Sequence, residues 1–233
     1  MSRVLIVLSG ARVWSQRNGV QRPTGFWAEE FAVPHQLLSE AGVDVTVATP
    51  GGRVPAADQV SLSAAGNNGD AAKADQFADY LRSVQHVLDA PERLEDIDPA
   101  AFDGVLIPGG HGPMQDLAVD PDIGRILIAM LPDPTKIVAS LCHGPASFLA
   151  AGDDTSWLFT GRRMTAFTDQ EEQQTGLDAN APWLLESRLR AGGATVTGGV
   201  AWQSHIEVDG NLITGQNPAS GEAVARTLIE LLG

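Results

Sequence analysis

Cys142 is the only cysteine of the chain. It stands in Lys136-Ile-Val-Ala-Ser-Leu-Cys142-His143-Gly144-Pro145, an order of residue types that suits nucleophilic catalysis. Ile137 to Leu141 has the length and apolar character of a buried strand, and Ala146-Ser-Phe-Leu-Ala-Ala reads as helix. A strand that turns sharply into a helix exposes its corner residue at the carboxyl edge of a sheet. The first N–H groups of the helix then point at whatever that residue attacks. A helix N-terminus and a neighbouring imidazolium both lower a thiol pKa, so Cys142 is expected to hold thiolate at neutral pH. A free cysteine is more commonly a small buried hydrophobe. The strand-Cys-His-Gly-Pro order is what favours the reactive reading.

Other residues could complete such a site. Glu29 and Glu30 stand at the expected start of a helix, where acids are also favoured by the helix dipole alone. Pro108-Gly109-Gly110-His111-Gly112 follows an apolar run. Its glycines make either a tight turn or a backbone that brings N–H groups close to an oxyanion. His111 is either a solvated loop residue or a substrate contact, and the second is preferred. The five histidines, His35, His86, His111, His143 and His205, show no metal-ligand spacing, so no metal is expected. No Gly-x-Gly-x-x-Gly or P-loop is present, so no nucleotide cofactor is expected.

The elements that must position these residues follow from periodicity. Strands are expected at Val4 to Leu8, Val43 to Thr49, Gly104 to Ile107 and Ile137 to Leu141. Residues 11–25 read as loop. Phe26 to Ala41 has helical spacing, with Pro34 predicting a kink or a late start. Residues 50–73 are loop-like, and Asp75 to Asp89 reads as one helix. Asp120-Pro121 opens a helix that runs to Leu131. Further on come a strand at 160–167, an acidic polar stretch at 168–176, a helix at 182–191 and a short strand at 194–197. A hairpin at 205–214 turns at Asp209-Gly210, and a closing helix covers 218–232. Strands alternating with helices predict an α/β fold, a mostly parallel sheet with helices on both faces. One domain over residues 1–233 is expected, with a covering excursion at about 50–100.

Bulk properties narrow the partners. The chain has 233 residues, 43% of them hydrophobic, and a formal net charge of −14. That charge argues against nucleic acid and anionic membrane. One cysteine precludes an intrachain disulfide and fits a reducing, cytoplasmic location. The run Val4 to Leu8 is too short for a signal or a membrane span.

Taken together, several segments resemble the DJ-one/PfpI superfamily, in its heat-shock-protein-thirty-one-like, glyoxalase III-like branch. They are Thr24-Gly25-Phe-Trp-Ala-Glu-Glu30-Phe-Ala-Val-Pro34, Ala48-Thr-Pro-Gly-Gly52, Pro55-Ala-Ala-Asp58, Pro108-Gly-Gly-His-Gly112, Leu141-Cys-His-Gly-Pro-Ala146 and Leu212-Ile-Thr-Gly-Gln-Asn-Pro-Ala-Ser220. The resemblance spans residue 3 to the C-terminus. It implies a flavodoxin-like sandwich with Cys142 at a strained nucleophile elbow, and a glutamate on the thiol four residues before a proline, which is Glu30. It also implies His143 as the adjacent histidine and a third acid after the next strand, Glu172, with Asp169 as the alternative. The N–H groups of Gly110 and His143 would hold an oxyanion.

The activity it implies is cofactor-free conversion of the small aldehyde methylglyoxal to lactate, in stress detoxification and as a homodimer. Two alternatives stand beside it. One is acyl transfer by the same cysteine, as hydrolase, deglycase or amidotransferase. The other is a thiol redox sensor or holdase chaperone. Glutamine amidotransferases share the architecture but carry Gly-x-Cys-x-Gly, whereas position 140 here is Ser. His205-Ile-Glu207 matches their His-x-Glu, yet it sits in an alternating strand and is expected to line one face of the hairpin.

Overall fold

Side-chain alternation along the first strand sets the layering. The computed structural model describes residues 1–152 and 156–233. In β1 (Arg3–Val7), Val4 and Ile6 enter one apolar cluster and Leu5 and Val7 another, all of them buried. A strand that is apolar on both faces must be covered on both. The remaining strands are β2 (Val13–Ser15), β3 (Gln21–Pro23), β4 (Asp44–Thr49), β5 (Glu92–Arg93), β6 (Gly104–Ile107), β7 (Ile137–Leu141), β8 (Arg163–Met164), β9 (Thr195–Val196), β10 (Ile206–Asp209) and β11 (Leu212–Gly215). Seven of them form one sheet in the order β10-β11-β7-β6-β1-β4-β5. Every pairing in that sheet is parallel except the hairpin of β10 with β11.

The helices are α1 (Ala28–Glu40), α2 (Ala71–Ser83), α3 (Gln85–Leu88), α4 (Gly112–Gln115), α5 (Pro121–Met130), α6 (Asp169–Thr175), α7 (Leu185–Ala191) and α8 (Gly221–Leu232). Phe31 and Leu38 of α1, Phe77 and Leu81 of α2 and Val224 and Leu228 of α8 pack on one sheet face. Ile123, Ile126 and Leu127 of α5, Leu185 and Leu189 of α7 and Phe148 pack on the other. This is the flavodoxin-like α/β sandwich. From β1 the chain moves outward to β4, then crosses to β6 on the other side of β1. That reversal opens a crevice beyond the carboxyl ends of β1 and β6, where ligands of such folds bind.

Several local expectations need correction. Residues 11–25 contain the β2–β3 hairpin. Pro34 lies inside α1 without ending it. The helix expected at 75–89 begins at Ala71, because the Asp70 side chain caps the Lys73 N–H, and it breaks at Val84 before α3. The connector after it holds the edge strand β5, paired with β4. The strand expected at 160–167 shrinks to β8. The run after the elbow is a 3₁₀ helix, Gly144–Ala150, in place of an α-helix. Ser147 donates its hydroxyl to the Gly144 carbonyl at 2.8 Å, which competes with the α-helical ladder there.

Candidate active site

Cys142 follows the last residue of β7 with φ +56, a left-handed backbone that a residue with a Cβ adopts only under constraint. The constraint is visible on both of its backbone groups. Its N–H donates to the Gly215 carbonyl at 2.9 Å, and its carbonyl accepts from the Phe167 N–H at 2.9 Å. Gly144 completes the turn: a Cβ there would lie 2.1 Å from the Ile107 carbonyl oxygen. Ser140, where amidotransferases carry glycine, is buried and donates to that same carbonyl.

Glu30 reaches the elbow from the first turn of α1. It is fully buried, and its Oε2 accepts the Gly109 N–H at 2.6 Å. Burial lifts its pKa to about 8, opposed by its hydrogen bonds to Cys142 and Gly109. Glu30 is therefore a neutral acid at pH 7. Its Oε1 is buried without a hydrogen-bond partner among the described residues. Gly109 is the hinge of this contact. A Cβ there would meet the His143 nitrogen at 2.5 Å, the Cys142 Cβ at 2.9 Å and the Glu30 Oε2 at 2.9 Å.

The expected low thiol pKa is not what this environment produces. Burial, then the negative charge that Glu30 gains once it ionises at higher pH, push the Cys142 thiol well above its ordinary value. Cys142 is 3% exposed, and it is followed by a short 3₁₀ helix. Desolvation outweighs what that helix start contributes. Cys142 is therefore a thiol at neutral pH.

His143 lies between the thiol and a carboxylate. The Nδ1 atom of His143 lies 3.4 Å from the Cys142 sulfur, and its Nε2 lies 2.7 Å from Glu172 Oε2. The imidazoles of His143 and His111 hold the Glu172 carboxyl well below the usual range, overcoming its desolvation, so it is ionised. An ionised carboxylate only accepts, so His143 Nε2 carries a proton, and Nδ1 is the ring nitrogen that faces the thiol. Glu172 Oε1 lies 3.0 Å from His111 Nε2. Burial and the neighbouring His143 lower the His111 pKa to about 4, so this second imidazole is neutral. His111 stacks on Trp14, with ring centroids 4.3 Å apart, and stands 4.3 Å from the His143 ring. The sequence reading had His111 as a substrate contact and did not foresee its bond to Glu172. Their separation of 61 residues gives no local signal.

The choice between the two acids is resolved by geometry. Asp169 turns to Ser187, accepting from its N–H and its hydroxyl, and leaves His143 to Glu172. The Gly110 N–H points at the Cys142 sulfur, and the His143 N–H has no acceptor among the described residues. Both remain available to an oxyanion. His205 is elsewhere: it lies 3.4 Å from Thr197 Oγ1 and 3.7 Å from Glu207. His111, His143 and Glu172 also offer three metal-ligand atoms within 4.8 Å of one another, a grouping that sequence spacing did not reveal. In this geometry both Nε2–H groups are already donated to the carboxylate.

A cavity of about 440 Å³ leads to His111. Val60, Asn67 and Lys73 of the excursion form one wall, and Gln174, Trp202 and Asn217 stand in another. Sequence reasoning missed Trp202. Its signal lies in the backbone, φ +64 on a tryptophan, which no periodicity reports.

A model of the DJ-1/PfpI family matches residues 22–231. The chain belongs to the DJ-1/PfpI family. The protein/nucleic acid deglycase HchA of Pseudomonas aeruginosa is 28% identical over 98% of this chain and 81% of its own length. The glutamine amidotransferase-like class 1 domain-containing protein 1 of Xenopus laevis is 31% identical over 89% of this chain and 85% of that protein. Glyoxalase 3 of Candida albicans is 24% identical over 98% of each chain. The crystal structure of glyoxalase III from that organism superposes with a TM-score of 0.83 at 23% identity, covering 100% of this chain and 98% of that one, and so shares the fold. Among the described residues of this DJ-1/PfpI chain, no helix is long and apolar enough to cross a membrane.

Proposed function

We propose that this DJ-1/PfpI protein is an enzyme of the glyoxalase and deglycase type, and that it converts methylglyoxal and water to lactate without glutathione. The observation that carries the reading is the continuous chain Cys142–His143–Glu172, with neutral Glu30 also hydrogen-bonded to Cys142. In this scheme His143 Nδ1 takes the thiol proton as the sulfur adds to the aldehyde carbon. Ionised Glu172 stabilises the imidazolium that results. The Gly110 and His143 N–H groups receive the alkoxide. Glu30 gives its proton to that oxygen, becomes a carboxylate, and removes the hydrogen on the same carbon as a proton. Glu30 returns that proton to the neighbouring carbon while the hydroxyl proton of the first carbon passes to the neighbouring oxygen, which leaves a 2-hydroxy thioester. Water adds to the thioester carbonyl and gives a proton to the Glu30 carboxylate, the carbon–sulfur bond breaks, and His143 returns its proton to sulfur, which restores all three residues. The sum is aldehyde plus water to 2-hydroxy acid, with no external oxidant.

The name of the Pseudomonas relative supports a second reading, hydrolytic release of an aldehyde from a glycated amine by the same residues. Lactate formation from methylglyoxal by wild type and by Cys142→Ala, assayed beside a glycated amine panel, separates the two. Turnover only on the glycated panel moves the function to the second reading. Equal lactate formation by variant and wild type refutes the cysteine mechanism in both. A cytoplasmic homodimer of a single domain belongs to the same proposal, and light scattering tests the dimer.

A further inference from the structure

The cavity that reaches His111, whose ring stands beside that of His143, is much larger than a three-carbon aldehyde needs. At about 440 Å³ it falls in the range of clefts that hold drug-sized molecules. Two tryptophans, Trp27 and Trp202, line it together with His111. Trp27 caps α1, two residues before Glu29, and its N–H donates to the Gly109 carbonyl at 3.1 Å. One aromatic wall is thus tied to the same loop as Glu30.

Trp202 is held with more effort. It occupies the third position of the turn 200–203, closed by the Gln203 N–H on the Val200 carbonyl at 3.1 Å. Its φ of +64 is a conformation for which turns usually employ glycine. Two bonds enforce it. The Trp202 N–H donates to the buried Glu171 Oε1 at 2.8 Å, and Asn217 Nδ2 donates to the Gln203 carbonyl at 2.8 Å. The indole N–H is taken by Gln174. The ring remains 40% exposed at the cavity mouth. It meets Phe167 edge-on at 5.5 Å between centroids, and Phe167 lies 4.5 Å from the His143 ring. A large aromatic residue held in a strained turn, exposed at the cavity and two rings from the proposed base, marks a binding position.

We infer that the site is built for 2-oxoaldehydes carrying a flat aromatic substituent, with Trp202 as the specificity-determining wall. This rests on the proposed aldehyde chemistry and narrows its substrate class. The balance is unchanged: an arylglyoxal plus water gives an aryl 2-hydroxy acid, the aldehyde hydrogen moving as a proton to the adjacent carbon. The aryl ring occupies the cavity between the indoles while the aldehyde carbon faces Cys142.

The test compares phenylglyoxal with methylglyoxal on wild type, Trp202→Phe and Trp202→Gly. Glycine accepts the φ of this position, so the Gly variant loses the ring while relieving the backbone. Wild type is expected to show the higher kcat/KM on phenylglyoxal. The ratio of the two substrates is expected to fall about tenfold in Trp202→Gly and to recover in Trp202→Phe. Preference for methylglyoxal in wild type, or an equal loss on both substrates in Trp202→Gly, overturns the inference and leaves the glyoxalase reading standing. If neither aldehyde is turned over, that reading fails. Calorimetry with mandelate and lactate, the two products, then decides the aromatic wall by itself. Tighter mandelate binding that is lost in Trp202→Gly supports it, and equal binding refutes it.

Discussion

At the scale of the residue, the site divides its charge between two carboxyls of opposite character. Glu172 is ionised because two imidazole N–H groups hold it, and Glu30 is neutral because burial outweighs its hydrogen bonds to Cys142 and Gly109. Replacing Glu172 by Gln keeps the shape but removes the charge that supports an imidazolium. We expect kcat/KM on methylglyoxal to fall by about 10²–10⁴-fold. A value within threefold of wild type would remove Glu172 from the proposed chemistry. Glu30 makes a prediction about stability. Its folded pKa of about 8 lies above the ordinary 4.5, so the folded protein binds this proton more tightly than the unfolded chain does. The stabilising contribution is complete below about pH 4.5 and is lost as pH rises through about 8, on the order of a few kcal/mol. Thermal melts across that window should show a steeper decline for wild type than for Glu30→Gln. Parallel curves would mean that Glu30 is already ionised in the resting protein.

At the scale of the element, α6 does two jobs from adjacent positions. Glu172 faces the histidines, while Glu171 receives Trp202, Gln216 and Asn217. The helix has seven residues and depends on its start. Thr168 Oγ1 accepts the Glu171 N–H at 3.1 Å and Glu171 Oε2 accepts the Thr168 N–H at 3.0 Å, a reciprocal cap. Thr168→Ala should cost about 1 kcal/mol and lower Tm by about 2–4 °C. It should also lower kcat/KM, because both glutamates shift with the helix. Thr168→Ser should restore both. A Ser variant as impaired as the Ala variant would show that the methyl group, and not the cap, is what matters. The sequence pointed to Cys142 by a local signal, a strand end followed by a helix start, while Glu30 over Glu29 and the role of His143 came from the family resemblance. It did not separate Glu172 from Asp169 by physics, since both lie in the first turn of α6. Only the direction that turn faces decides, and direction depends on packing against residues far away in the chain. The same holds for the thiol. Local sequence suggested a lowered pKa, and burial reversed it.

At the scale of the whole molecule, the pattern identified every long sheet strand, because each carries an apolar run, an alternating run or a hairpin turn signal. The short pieces β2, β3 and β5 have two or three residues each and form by pairing, without a periodic signature of their own. Charge is the other global property. Fourteen excess negative charges repel one another in the compact state. Surface ion pairs offset this weakly. Arg3–Asp44 and Arg226–Glu222 are both solvent-exposed, and such pairs contribute about 0–1 kcal/mol. Raising ionic strength screens both effects, with the Debye length falling from about 30 Å at 0.01 M to about 8 Å at 0.15 M. The long-range repulsion loses more than the contact pairs do, because its charges are farther apart. Tm should therefore rise as sodium chloride is increased from about 0.01 to about 0.15 M. A fall over that range, measured by calorimetry at neutral pH, would mean that the ion pairs outweigh the net charge.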